Sequence, residues 1–268
     1  MNQFFFGNVE KPLYAVHQEP HGSQLRDSAV LICYPTGREY MRCHRALVKL
    51  CDRLAEAGFH SLRFDYFGTG DSAGDYGDGD LKEWVSNAQL AAEELREISG
   101  VQKISVLGVR LGAAVAFGLL QSESHLKAAV LWDPVTDGEQ FLRRLTRMHM
   151  DFVADTNRFP ALGAQTRNVS GDEYLGMVYS PELKASICNY KASELSSAVK
   201  DTRLSFVVSE DSDDYQEAYA ALKVHAPECT YHAMDEPSGW DSLSDLGVVL
   251  MPHGIMKRIV SVLEGADS

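Results

Sequence analysis

The chain has 268 residues and a mass of 29.6 kDa, with 45% hydrophobic and 24% charged residues. That balance excludes wholesale disorder, and the length suits one or two domains. A net charge of −13 excludes a nucleic-acid binder or a protein of anionic membrane surfaces, both of which need a basic footprint. The acid is concentrated: residues 70–100 carry eight acids and two bases, and residues 201–245 carry eleven acids and two bases. No apolar run reaches the roughly 18 residues of a membrane span. Phe4, Phe5 and Phe6 stand near the start without the basic region or cleavage site of a signal peptide. The five cysteines, at 33, 43, 51, 188 and 229, have no metal-type spacing and read as reduced thiols of a cytoplasmic protein.

In chain order, two short strands are predicted over 3–6 and 13–17. Residues 28–34 form a near-continuous apolar run ended by Pro35, as a strand buried on both faces reads. A helix is predicted over 42–57, where Leu47, Leu50, Cys51 and Leu54 recur at helical spacing and Gly58 supplies the stop. A strand over 60–65, a glycine-rich loop over 68–79 and an amphipathic helix over 81–98 follow. Next come a strand over 103–107, a helix over 111–120 and a strand over 127–132 stopped by Pro134. Residues 137–200 contain helical pieces, among them 140–155, and no convincing strand. Alternation resumes with a strand at 203–208, a helix at 213–224, a strand at 230–233 and a last helix at 252–263.

Strands alternating with helices imply a mostly parallel sheet covered on both faces. The expected division is an α/β core of residues 1–136 and 201–268, with a helical cap inserted at 137–200. Such a cap would stand over the carboxyl edge of the sheet, where open α/β sheets bind ligands.

The strand at 103–107 runs into Gly108-Val109-Arg110-Leu111-Gly112 and directly into an alanine-rich helix. That context resembles the G-x-S-x-G nucleophile elbow of the α/β-hydrolases, with Arg110 in place of serine. Pro35-Thr36-Gly37 stands where the oxyanion-hole loop of that fold belongs. The run from Asp65 to Ser72 looks like the D-x-x-G-x-G-x-S turn of the superfamily, and Asp211 takes the usual place of the triad acid. Where a Gly-His is expected after the last strand, the chain has Gly239-Trp240; His232 falls too early and His253 too late. A guanidinium stays protonated and is no nucleophile, and a serine without an adjacent base is unactivated.

The chain is also similar to the second type of hydrolase-like protein that accompanies exosortase systems. The likeness rests on Glu39-Tyr40-Met41 with Arg45, the run from Gly68 to Asp75, Gly108 to Ala113, Leu131 to Val135, Gly138 with Phe141-Leu142, and Leu175 to Pro181. It covers about residues 30–260. The resemblance implies arginine in the elbow, tryptophan near Trp240, and a serine aminopeptidase-like or esterase-like name that says little of mechanism. The departures are Pro35-Thr36 for two prolines and Arg38-Glu39 for an acidic pair.

Arg110 has two readings: an anion anchor at a helix N-terminus, or half of an ion pair with Asp211 or Glu39 that fills the vacated site. Asp211 is either a triad acid now paired with Arg110 or one more solvated charge. Thr36, Gly37 and Arg38 on the loop, Val109 and Leu111 beside Arg110, and Ser72 and Trp240 complete the candidate ligand-binding set. In its turn, however, Ser72 is more often a loop hydrogen-bonder. Cys43, among Arg38, Arg42 and Arg45, is in surroundings that lower a thiol pKa, against the alternative of a packed residue. The glycine-rich run lacks the Lys-Ser/Thr of a phosphate loop, so it is not read as one; no cofactor and no metal is expected.

The function expected is thus binding of an acyl or carboxylate-bearing small molecule, with non-serine or vestigial hydrolase chemistry. The alternative is a non-catalytic accessory protein of a lipid or exopolysaccharide export pathway, and a homodimer is left open. Arg38, Arg42, Arg45, Arg110, Arg143, Arg144 and Arg147 fall on segments expected near the carboxyl edge and predict a locally basic mouth.

Overall fold

The computed structural model describes residues 1–22, 24–123, 126–155, 171–195, 199, 202–226, 228–241 and 250–267. Its strands are β1 (Asn2–Asn8), β2 (Lys11–Gln18), β3 (Ser28–Cys33), β4 (Ser61–Phe64), β5 (Lys103–Val109), β6 (Leu126–Trp132), β7 (Glu173–Tyr174), β8 (Met177–Val178), β9 (Arg203–Val208) and β10 (Cys229–Ala233). Its helices are α1 (Gly37–Glu56), α2 (Leu81–Ser99), α3 (Gly112–Ser122), α4 (Gly138–Ala154), α5 (Pro181–Cys188), α6 (Asp213–Lys223) and α7 (His253–Asp267).

Eight strands form one sheet in the order β1-β2-β4-β3-β5-β6-β9-β10. The β1/β2 and β2/β4 pairs are antiparallel, and all pairs from β4 to β10 are parallel. The central strands read as apolar runs because both faces are covered: every residue of β3 is buried. Helices α2 and α3 pack together on one face, and α1 and α7 on the other. No helix among the described residues is long and apolar enough to cross a membrane.

The element order matches the sequence expectation, with two differences. Helix α1 begins at Gly37, five residues before the predicted start, because its first turn carries Arg38, Glu39 and Tyr40 and the apolar period begins only at Cys43. Between β6 and β9, where no strand was expected, β7 and β8 pair as a small hairpin. Leu175 and Gly176 turn it with φ of 53° and 87°, the pair of positive angles that a two-residue hairpin favours. Strands of two residues are too short to show a period of two. Of the expected 137–200 insertion, residues 156–170, 196–198 and 200 lie outside the described residues.

Two local devices shape the sheet's carboxyl edge. Gly112 opens α3 so close to β3 that a Cβ there would collide with the Cys33 carbonyl oxygen. In the turn after β4, Asp65 accepts from the Asp71 backbone N–H at 2.9 Å and from the Tyr40 hydroxyl at 2.9 Å. Ser72 closes the same turn, donating to the Asp65 carbonyl at 2.6 Å and accepting from Tyr14 N–H at 2.9 Å.

At the other side of β4, His17 on β2 and His60 meet with Nε2 and Nδ1 3.0 Å apart, so one ring nitrogen of the pair must act as an unprotonated acceptor. Burial lowers both imidazoles from their usual value of 6.5; His60 lowers His17 further, while Glu19 opposes the shift in both. With folded values below the unfolded one, the unfolded chain takes up protons first. The pair's contribution is therefore complete above pH 6.5 and declines as pH falls through the window below it. Urea unfolding from pH 7 down to about 5 should show falling stability, and His17→Gln/His60→Gln should flatten that slope. An unchanged slope in the double variant would contradict this origin.

Candidate functional site

The turn from β5 into α3 places Arg110 in the left-handed region, at φ 52°. For a non-glycine residue this is strain of about 1–3 kcal/mol, which persists only where surroundings over-determine the backbone. They do so here. Arg110 N–H donates to the Trp132 carbonyl at 3.0 Å, and its carbonyl accepts from Ala113 and Val135 N–H at 3.1 Å each.

The side chain is only 2% exposed. Its Nε donates to Glu39 Oε1 at 2.9 Å, and Nη1 donates to the Asp133 carbonyl at 2.8 Å and to the Tyr215 hydroxyl at 3.4 Å. The guanidinium lies over the Trp240 ring, 5.3 Å from its centroid. Burial alone would lower the Arg110 pKa, but Glu39, Tyr215 and Asp133 reverse that and raise it. Arg110 Nη2 and Glu39 Oε2 are buried without hydrogen-bond partners.

Asp133, directly after β6 and also strained at φ 43°, was not anticipated. Its Oδ1 accepts from Ser209 N–H at 2.7 Å, and its Oδ2 accepts from Ser209 Oγ at 2.5 Å and from Trp240 Nε1 at 2.7 Å. The signal that marks it is positional: like Asp211, it follows a parallel strand at the carboxyl edge, where ligand-facing groups belong.

Other candidates lie elsewhere. Arg110 does not pair with Asp211; it pairs with Glu39. Asp211 is exposed and accepts from Tyr231 Oη at 2.5 Å and from Gln216 Nε2 at 2.9 Å, and these bonds hold its carboxyl below the usual range. Asp133, bound to Ser209, already holds the place beside Trp240. Ser72 is spent within the β4 turn and does not join the Arg110 site. Thr36 is buried, and a Cβ on Gly37 would come 3.0 Å from the Tyr179 hydroxyl and 3.4 Å from that of Tyr76. The space left between Thr36, Arg38, Glu39 and Trp240 is about 20 Å³, the scale of a single water. Val109 and Leu111 flank Arg110 with fully buried side chains. Cys43 is the reverse of an activated thiol: complete burial, then the Glu39 charge, push it well above its ordinary value.

Beside the buried cluster a cleft of about 740 Å³ opens, lined by Arg110, Phe141, Arg144, Arg147, Asp211, Tyr215 and Trp240 among others. Its mouth is mixed rather than basic. Arg143 pairs with Glu139, and Arg144 with Asp241 at 3.2 Å. Arg42 donates to the Gly239 and Trp240 carbonyls, and Glu210, Asp211 and Asp214 line the cleft too. Arg147 has no ion-pair partner among the described residues. Among those residues no group of three or more His, Cys, Asp or Glu side chains is placed to hold a metal.

Residues 39–175, just over half of the chain, match the family described as serine aminopeptidase, S33. No curated protein is significantly similar. Among solved structures, the chain is similar to an esterase of Pyrococcus furiosus (TM-score 0.69, 14% identity, covering 100% of this chain and 91% of that one). It is also similar to proline iminopeptidase of Mycobacterium smegmatis (TM-score 0.62, 14% identity, 99% of both chains). Est1E of Butyrivibrio proteoclasticus is comparable, at TM-score 0.65 and 14% identity over 99% of both chains. With this sheet order, these likenesses make the fold that of the α/β-hydrolases.

Removing one partner of a buried ion pair leaves the other charge uncompensated, at a cost of about 3–5 kcal/mol. Glu39→Ala should lose stability of that size in urea unfolding, whereas Glu39→Ala/Arg110→Met should recover most of it. A loss below about 1 kcal/mol for Glu39→Ala would place the pair among weakly coupled surface ions instead.

Proposed function

The chain belongs to the serine aminopeptidase, S33, family, and from that premise we propose a member that works by binding and not by hydrolysis. The observation that carries this reading is the state of Arg110. It occupies the elbow, sealed at 2% exposure and bonded to Glu39. Arg110, Trp240 and Asp133 keep the spatial form of a nucleophile–base–acid relay without its chemistry. The indole N–H is held by Asp133 as a catalytic imidazole N–H would be. An indole has no second nitrogen to accept a proton, and a guanidinium has no lone pair to attack with.

The cleft supports a small, partly apolar molecule with an anionic head as the ligand. Phe141 and Trp240 offer apolar surface, and Arg147 offers a cation. The acids at the rim, Glu210, Asp211 and Asp214, disfavour polyanions. On this reading residues 137–200 are a cap that covers the Thr36–Gly37 loop through Tyr179, and Arg147 on α4 takes over the anchoring expected of Arg110. The likeness to exosortase-associated proteins supports an accessory role in a lipid or exopolysaccharide export pathway.

A fluorophosphonate probe should form no adduct with the wild-type chain. Arg110→Ser/Trp240→His, which supplies a nucleophile and a base beside Asp133, should gain one at the new serine. A specific adduct on any wild-type serine would overturn the proposal. Octanoate, titrated calorimetrically, should bind wild type more tightly than Arg147→Ala by about 1.5–3 kcal/mol, the worth of a charged hydrogen bond.

A further inference from the structure

Arg63 on β4 is a second buried guanidinium, 7% exposed, and its situation is the opposite of Arg110's. Nη1 donates to the Tyr34 hydroxyl at a long 3.3 Å, and Nη2 meets only Met1 Sδ at 3.8 Å. Among the described residues no carboxylate forms an ion pair with it, although its charge reaches Asp65 and opposes the rise that burial causes in that carboxyl. A buried cation without a directly bonded counter-charge is unfavourable unless something supplies one. Directly against it lies a cavity of about 190 Å³, lined by Arg63, Tyr14, Tyr34, Tyr40, His44 and Asp65, with Asp71 also at its wall. Tyr40 and His44 stand one turn apart on α1. Glu39, the next residue round the helix, faces Arg110 instead, so the two sites lie on different sides of α1.

We infer that this cavity is a binding site for a small monocarboxylate, separate from the Arg110 cleft and from the function proposed above. The guanidinium fork matches a carboxylate. The Tyr34 hydroxyl accepts from Arg63 and so keeps its proton to donate. The Tyr14 hydroxyl makes no hydrogen bond among the described residues. Asp65 offsets the Arg63 charge without bonding to it: its oxygens accept from Tyr40 Oη and Asp71 N–H and make no ion pair with the guanidinium. The field of Arg63 reaches across the cavity: after burial, it is the next cause lowering the His44 imidazole. Asp65 and Asp71 set the selectivity, since their charges disfavour a dianion such as phosphate and welcome an ammonium next to the carboxylate. The volume admits a molecule of a few heavy atoms and falls below the usual 300–1,000 Å³ or so of larger-ligand pockets.

The test titrates the full chain, ¹⁵N-labelled, with propionate, alanine and inorganic phosphate while following arginine Nε–H signals by NMR. Arg63→Met, or Arg63→Lys should the first not fold, identifies the Arg63 signal by its loss. Propionate and alanine should move that signal saturably and leave the Arg110 signal in place, with phosphate weaker than both. Arg63→Met should cut propionate affinity by about 10- to 100-fold, the span of a charged hydrogen bond. No saturable shift with any of the three, or equal affinity in Arg63→Met, overturns the site. Phosphate binding ahead of the carboxylates overturns its assignment to a monocarboxylate.

Discussion

The buried Arg110–Glu39 ion pair is the constraint on which the rest of the site depends. A guanidinium with 2% exposure keeps its charge only if the protein surrounds it with acceptors, because desolvating an ion costs several kcal/mol after relaxation. One residue supplies the counter-charge, one carbonyl and one phenol accept further N–H groups, and an indole face covers the plane. Each partner is thereby fixed. Glu39 must sit in the first turn of α1, and the Asp133 carbonyl must turn inward. Trp240 must lie flat against the charge, which sets its N–H on the Asp133 carboxylate.

That chain of dependence explains which parts were legible in the sequence. Residues whose role is set by periodicity were readable: the central strands, α2 with its buried stripe, and the order of elements follow from hydrophobic spacing. The glycines of the elbow were readable too, since a tight strand–turn–helix leaves no room for Cβ at Gly112. What was not readable were side-chain partners across long separations. Glu39 and Arg110 lie 71 positions apart, and Trp240 and Asp133 lie 107 apart. Spacing along the chain carries no information about which of two acids at the same sheet edge faces inward. Cys43 makes the same point in reverse. Neighbouring arginines in sequence suggest a lowered thiol pKa, yet helical geometry sends Cys43 into the core, where desolvation dominates.

The charge distribution also changes meaning once partners are known. Seven arginines near the carboxyl edge read as a basic mouth when counted as free charges. In the folded chain Arg110, Arg143 and Arg144 are neutralised by carboxylates, and Arg42 is spent on backbone carbonyls. The cleft is left with charges of both signs facing across it. Net charge and clustering bound the partner class, but local field depends on pairing at 3–4 Å, where Coulomb terms are largest.

The backbone at Arg110 is strained, at φ 52°, because its surroundings over-determine it. A left-handed turn is useful in a hydrolase because it lifts a nucleophile above the sheet, and here the same φ of 52° lifts a guanidinium. The hydrogen bonds that enforce it come from Trp132, Ala113 and Val135, all backbone groups of the sheet edge and the helix start, none dependent on which side chain occupies the turn. The scaffold therefore presents whatever residue stands at this position at the same point in space. Reactivity is decided only by that residue and its two neighbours. With arginine presented, Glu39 and Trp240 become its ligands, and a packed ion pair fills the turn. The open cleft beside that pair is lined by charged side chains of both signs.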